Sequence, residues 1–393
     1  MKYLLVFLIS FLVLPVFATS NFTEAENSMD KFSDKSMINL TTQKNSTYIV
    51  KILDFDGKPT SAIVNENTNT VYVTDFSAGK LHIIDGNTDK VINSITVTKT
   101  PFGVGINPDT NMIYVGGEYA NILSVINAVT RQVELEIPLE DPYDIAVNPT
   151  NNMIYVTSDK TNSVYVIDGA THEMVTSFEV MIPCGIAVNP TTGMVYVTSE
   201  SENLVHVFDG NNNKVTTIRV EDSPRGVTVN HVTNMIYVTN QESNTISVID
   251  GSSNIHVESI PVGEIPRRVV VNPQSNMIYV TNQGSNNVSI IDGSNNKVIE
   301  TIEVQDPFEL AINSQTNKLY AMHYGGKLSV ISYSPKNLTT LDSPFKQILS
   351  GIDPNSVICN EGFELVHKST DNSPACVKPS TAEKLILRGW ARE

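Results

Sequence analysis

Apolar and polar positions along the chain follow no helical period. They come in short β-branched bursts separated by turn residues. One stretch shows the pattern clearly: Arg225-Gly-Val-Thr-Val-Asn, then Met235-Ile-Tyr-Val-Thr-Asn, then Thr245-Ile-Ser-Val-Ile-Asp-Gly, then Ile255 to Val262. Runs of five to eight residues bounded by Asn, Gly, Ser and Pro predict four consecutive β-strands. The second and third runs are apolar on both faces, as in Met-Ile-Tyr-Val, so the sheet they form must be covered on both sides.

The same block recurs along the chain. Tyrosines fall at 72, 114, 155, 196, 237, 279 and 320, with steps of 42, 41, 41, 41, 42 and 41 residues. Two further series keep that step: Pro59, Pro101, Pro142, Pro183, Pro224, Pro266 and Pro307, and Asn65, Asn107, Asn148, Asn189, Asn230, Asn272 and Asn313. A period of about 40–45 residues with four strands per copy is that of a propeller blade. The expected fold is therefore all-β: a seven-bladed β-propeller of four-stranded antiparallel blades, whose ring closure protects the strand edges. The seventh copy ends at Leu328-Ser-Val-Ile-Ser without a clear fourth strand. The segment Tyr48-Ile-Val-Lys-Ile-Leu stands where an outer strand belongs and is expected to pair onto blade seven; Asn337 to Leu341 is the alternative.

Ile236-Tyr-Val-Thr-Asn and Ile278-Tyr-Val-Thr-Asn, with Val248-Ile-Asp-Gly and Ile290-Ile-Asp-Gly behind them, closely resemble the YVTN family of propeller repeats over about residues 47–332. That resemblance implies an archaeal surface-layer or bacterial exported protein. It is specific for fold and says little about activity. Blade two departs from the pattern with Gly116-Gly117-Glu118-Tyr119 and Asn127-Ala128, and blade seven with Ala321-Met322-His323-Tyr324.

The C-terminal stretch resembles a short module found on exported proteins of ammonia-oxidising archaea. The residues that carry this are Ser343-Pro-Phe-Lys-Gln, Cys359-Asn-Glu-Gly-Phe-Glu-Leu, Ser373-Pro-Ala-Cys-Val-Lys-Pro and Leu387-Arg-Gly-Trp. Cys359 and Cys376 bracket a hairpin, and a disulfide between them would contribute roughly 3 kcal/mol in an oxidising compartment. Ser380 and Glu383 have capping-box spacing before a short helix that Gly389 can end. The module reads either as a stapled end-piece packed on the propeller or as a docking or sorting element.

Composition narrows the function. In 393 residues there are 26 basic and 42 acidic side chains, a formal charge of −16. Such a chain repels phosphate, so neither nucleic acid nor an anionic lipid surface is an expected partner. Three cysteines are too few for a disulfide framework and lack zinc spacing. Lys2, the apolar run from Leu4 to Phe17 and the small residues near Ala18 predict a signal peptide cut after Ala18, with an uncleaved anchor as the alternative. The expected organisation is a signal segment at 1–18, a Ser/Thr/Asn-rich leader at 19–46, the propeller at 47–333, a linker at 334–353 and a hairpin-plus-helix module at 354–393. Asn21, Asn39, Asn45, Asn287 and Asn337 begin glycosylation sequons.

Comparing copies separates frame from candidate site. Asn-Pro-x-Thr-Asn and Asp-Gly-x-x-Asn-Lys recur almost unchanged and are turn chemistry. The Asp-Gly loops at Asp85, Asp168, Asp209, Asp250 and Asp292 lack the ligand pattern of a calcium loop. The opposite face, made of the residues after each proline and the loops between second and third strands, varies: Thr60-Ser61, Phe102-Gly103, Tyr143-Asp144, Cys184-Gly185, Arg225-Gly226, Arg267-Arg268 and Phe308-Glu309 follow each proline and should ring the mouth of the central channel. Arg225, Arg267 and Arg268 suit a carboxylate such as that of an acidic sugar, and Tyr143, Phe102 and Phe308 suit sugar rings. Alternatively the arginines pair with Glu264, Asp222 and Glu309 and seal the channel. His323 and Tyr324 are expected to face the mouth from blade seven. No catalytic residues, metal or cofactor are indicated. The leading expectation is an exported, non-enzymatic surface or scaffold protein with protein or glycan partners and no membrane span after signal cleavage. A glycan- or anion-binding module, and a propeller lactonase- or lyase-like enzyme, are the alternatives.

Overall fold

The computed structural model describes residues 48–333, 357, 359, 363–369 and 373–392. The signal segment, the leader, the linker, the alternative strand at 337–341 and the sequons at Asn21, Asn39, Asn45 and Asn337 lie outside the described residues. From Tyr48 to Tyr333 the chain forms 28 strands, numbered here in order, in seven four-stranded antiparallel sheets. The first strands are β2 (Pro59–Asn65), β6 (Pro101–Asn107), β10 (Ile145–Asn148), β14 (Pro183–Val188), β18 (Pro224–Asn230), β22 (Pro266–Asn272) and β26 (Pro307–Asn313). Each touches the first strand of the next blade, and β26 returns to β2, so these seven line the axis of a closed ring.

Blade seven closes as expected. Its own strands are β26, β27 (Lys318–His323) and β28 (Lys327–Tyr333), and β1 (Tyr48–Asp54) supplies the fourth. Tyr48 stands opposite Tyr333 and Asp54 opposite Lys327 with no shift in register between them. The join is reinforced where blade seven meets blade one. Lys51 and Lys318 both reach Asp89 (3.8 and 2.8 Å), and Ser314 bonds to Glu66 through its amide and its hydroxyl.

The apolar residues on both faces of the middle strands now have their explanation. Seven hydrophobic clusters fill the seven spaces between neighbouring blades. In one of them Tyr237, Ile246 and Val248 of blade five meet Val269, Ile278 and Val280 of blade six. The repeat tyrosine is nearly inaccessible in every blade. Its ring supplies the large apolar area needed between two twisted sheets.

Polar repeat residues join the blades to one another. At the end away from the mouth, Asn107 donates to Asn152, Asn189 to Asn234, Asn230 to Asn276, Asn272 to Asn317 and Asn313 to Asn69, at 2.5–2.8 Å. The acceptors all have positive φ, where Asn is tolerated best after Gly. The ring is broken twice. Among the described residues the buried amide of Asn65 finds no partner, and the residue equivalent to the acceptor for Asn148 is Gly193.

The Asp-Gly loops are hairpins, but not for the reason the dipeptide suggests. Gly86 and Gly251 do not adopt positive φ; that role falls to Asp89 and Asn254, three residues on. A Cβ on Gly86 would come within 2.1 Å of Asn69 Oδ1, and one on Gly251 within 2.7 Å of the Asn234 carbonyl. Glycine is therefore needed because two turns of one blade touch. Asp85, Asp209, Asp250 and Asp292 are occupied as turn caps, accepting backbone N–H groups two to four residues on.

The C-terminal region forms a small sheet of β29 (Glu364–Lys368), β30 (Pro374–Val377) and β31 (Ala391–Arg392), with helix α1 (Pro379–Leu387) packed on it. The Cys359–Cys376 disulfide is present. The capping box is not. The helix begins two residues early because Pro379 takes the first helical position, which makes Lys378 the cap with no side-chain bond. Gly389 ends it at φ +68, as expected, with its N–H on Ile386 O. Among the described residues no helix is long and apolar enough to cross a membrane.

Candidate functional site

In several blades the mouth residues are placed by a repeated device. The threonine of the Tyr-Val-Thr motif accepts a backbone N–H from its own first strand and donates to the next blade's first strand. Thr198 holds Gly185 N and Arg225 O (2.8 and 2.6 Å), and Thr239 holds Gly226 N and Arg267 O (2.7 and 2.9 Å). The post-proline residues are thus fixed in backbone position while their side chains are free to vary toward the axis.

They converge on a cavity of about 370 Å³ at the channel mouth, within the ~300–1,000 Å³ usual for small-ligand sites. Nine of the ten expected residues line it: Phe102, Tyr143, Asp144, Arg225, Arg267, Arg268, Phe308, Glu309 and Tyr324. Thr60, Ser61 and Cys184 join them. His323 does not. It ends β27 with the strand alternation turning its side chain inward, and Nε2 meets Ser329 Oγ at 2.8 Å. Asn240 and Asn282 do the same in their blades, on Ser247 and Ser289. Burial lowers the pKa of His323, so it is a neutral latch inside the blade.

The arginines pair only partly as expected. Arg268 lies between two carboxylates, 2.8 Å from Asp144 Oδ2 and 2.7 Å from Glu309 Oε1. Burial would lower its pKa, but the two acids outweigh it and hold the proton firmly. Glu309 moves the other way from an ordinary ion-pair partner: burial raises it to about 7, against the pull of Arg268 and with Asp144 adding to the rise. Arg225 donates to Tyr143 Oη at 3.1 Å and lies 3.5 Å from Glu200, not against Asp222, whose carboxylate accepts from Asn203. Nor does Glu264 form the expected pair. Arg267 has Nε on Gln283 Oε1 at 2.7 Å and, among the described residues, no ion pair at all. Burial and the neighbouring Arg225 depress its pKa.

Around these charges stand three aromatic pairs. Phe102 and Tyr143 stack at 4.8 Å and 22°, Phe308 and Tyr324 tilt at 4.7 Å, and Phe76 and Tyr119 meet edge to face at 6.0 Å. Tyr119 is 71% exposed and Tyr324 57%, so the outer rings of two pairs present themselves to solvent at the rim. Cys184 is buried with Sγ 3.2 Å from Glu200, and desolvation pushes the thiol up to about 12. It is a protonated packing group rather than a nucleophile. Among the described residues no cluster of His, Cys, Asp and Glu is arranged to hold a metal.

The sequence places the loops between second and third strands on this face, but it does not single out Phe76, Glu118 and Tyr119 in them, or Lys58, as cavity-lining residues, nor Glu200 and Gln283, which hold Arg225 and Arg267. The signal for Glu118 and Tyr119 was present in the blade-two departure from the repeat. Phe76, Glu200 and Gln283 occupy the residue after the second strand, a position that varies between copies. Asn287 is placed inside β24 (Asn287–Asp292), accepting from Asn282, and the serine of its sequon is buried at 1% exposure. The folded protein therefore does not present this sequon to a transferase.

A family model described as a lactonase, seven-bladed β-propeller, matches residues 186–297, which span blades four to six and carry all three mouth arginines. Among solved structures the chain is similar to Kuenenia stuttgartiensis hydrazine synthase, with TM-score 0.65 and 17% identity over 72% of this chain and 98% of that one. At that identity the likeness is one of propeller fold. No curated protein matches the chain.

Proposed function

We propose that this protein is an exported cell-surface propeller that works by binding rather than catalysis, a rigid platform whose channel mouth takes a small anionic ligand. The observation that carries the reading is Arg267: a half-buried guanidinium facing the cavity of a strongly acidic protein, with both terminal nitrogens unbonded among the described residues. A half-buried cation without a counter-charge is costly, and an incoming anion relieves that cost. The groups that would do chemistry are already engaged. Asp144 and Glu309 are held on Arg268, the Cys184 thiol is kept protonated, and His323 is turned away. Export and surface location rest on the signal segment, the repeat resemblance and the C-terminal disulfide.

Thermal melting of the protein against a panel of small organic and inorganic anions tests this. A ligand at a hundred times its Kd adds roughly 2.7 kcal/mol, which raises Tm by several degrees. The shift should vanish in Arg267→Ala. A panel in which no anion moves the wild-type Tm would sink the proposal.

The lactonase-model match over residues 186–297 and a Glu309 carboxyl near neutrality favour one second reading, lactone hydrolysis with Glu309 as proton carrier. Base uptake by the protein with δ-lactones, abolished in Glu309→Gln, would establish it over the binding reading.

A further inference from the structure

We infer that the ligand of the channel mouth is an acidic oligosaccharide, a short run of pyranose rings bearing a uronate carboxylate, which Arg267 receives while the aromatic pairs take the ring faces. This rests on the mouth being an anion-binding site and adds the body of the ligand to it.

The two kinds of side chain are segregated around the ring. Arg225 comes from blade five and Arg267 from blade six, whereas Phe102, Tyr143 and Tyr324 come from blades two, three and seven, with Phe76 on blade one between them. A ligand lying across the mouth therefore meets charge on one side and flat apolar surface on the other. Several platforms in succession suit a chain of rings better than a single aromatic acid, which one slot would hold. The C–H face of a pyranose packs on an electron-rich ring face, and two platforms have an exposed outer ring at the rim.

Polar groups are interleaved with those platforms. Lys58, Ser61 and Glu118 line the same wall. An aliphatic or aromatic acid would desolvate them without replacing their hydrogen bonds, whereas a hydroxylated ring edge supplies partners. The charge balance also selects. Arg268 is satisfied by Asp144 and Glu309, and Arg225 by Glu200 and Tyr143, so one guanidinium is left over. One unpaired guanidinium, with two free terminal nitrogens, fits a carboxylate forked onto Arg267. A phosphate monoester carries about −1.5 to −2 at neutral pH and would press its excess charge on Asp144 and Glu309.

The test is calorimetric titration of the full chain with a disaccharide ending in glucuronate, the matching neutral disaccharide, acetate, benzoate, inorganic phosphate and a short peptide with a C-terminal aromatic residue. The uronide should bind at least tenfold more tightly than any other probe. Arg267→Gln should bring it down to the neutral disaccharide, and Phe102→Ala should weaken the uronide at least fivefold while leaving the weak acetate affinity unchanged. Phe102→Leu, which keeps the apolar volume without the ring face, gives the same reading if the alanine variant fails to fold. Acetate, benzoate or phosphate binding as well as the uronide would overturn the oligosaccharide while leaving an anion site standing, and tighter binding of the peptide would overturn it in favour of a chain terminus. Binding of none of the probes would remove both readings.

Discussion

At the scale of single residues, the mouth stores strain and a titratable group. Ile182, just before a repeat proline at the rim, has φ +44, a conformation that costs an ordinary L-residue about 1–2 kcal/mol and more than usually suits a β-branched one poorly. Ile182 is half-exposed there, so Ile182→Asn gives up little packing and should stabilise by about 1 kcal/mol, read as a Tm increase of about 2 °C. Glu309 makes anion binding depend on pH. As pH falls through about 7 it takes up a proton, and the positive charge of Arg268 is then less fully offset at the mouth. Anion affinity should rise between pH 8 and 6 and become flat over that window in Glu309→Gln. The same raised pKa favours the folded state fully below about pH 4.5, a contribution lost as pH rises through 7. Asp75 has the opposite sign. Burial would raise it, but His82 and the N–H groups of Ala78 and Lys58 bring it to about 2, so its contribution is present above about pH 4 and is lost as pH falls toward 2. His323 shows how far single residues were legible. Its place in a variant segment was plain, but whether it faced the mouth depended on strand alternation at the last residue of β27, where one step reverses the side.

At the scale of elements, the repeat motif does two jobs with adjacent residues: the tyrosine fills the space between blades and the threonine ties two first strands together at the axis. Thr239→Val keeps the shape and deletes the tie, leaving Gly226 N–H and Arg267 C=O without their partner. A cost of about 1–3 kcal/mol is expected. Because Arg267 is one of the two groups released, the variant should also bind anions more weakly. Strand number, strand order and the N-terminal closing strand were all legible, since spacing and an incomplete seventh copy require them. The pairing of individual arginines was not. Glu200 and Gln283 lie 25 residues before Arg225 and 16 after Arg267, and only the closed ring sets such distances in space.

At the scale of the whole molecule, stability is distributed over seven similar joints, two of which lack the amide bond between blades. Asn148 has no side-chain acceptor opposite it because Gly193 stands in the asparagine position at φ +75, and a Cβ there would meet only ordinary contact at 3.5 Å. Gly193→Asn should complete that bond and raise stability by about 0.5–1.5 kcal/mol in urea unfolding, whereas Gly86→Ala should lower it because its Cβ has no room. The closing strand has a mechanical consequence as well. Tyr48 and Tyr333 are directly opposed at the same end of an antiparallel pair, so the chain enters and leaves the propeller at one point on its outer edge. Force applied between the leader and the C-terminal module would therefore peel β1 from β28 one hydrogen-bonded step at a time instead of shearing the whole ladder together. Tethered through one end only, the ring feels none of that pull; tethered through both, its latch is its first part to yield.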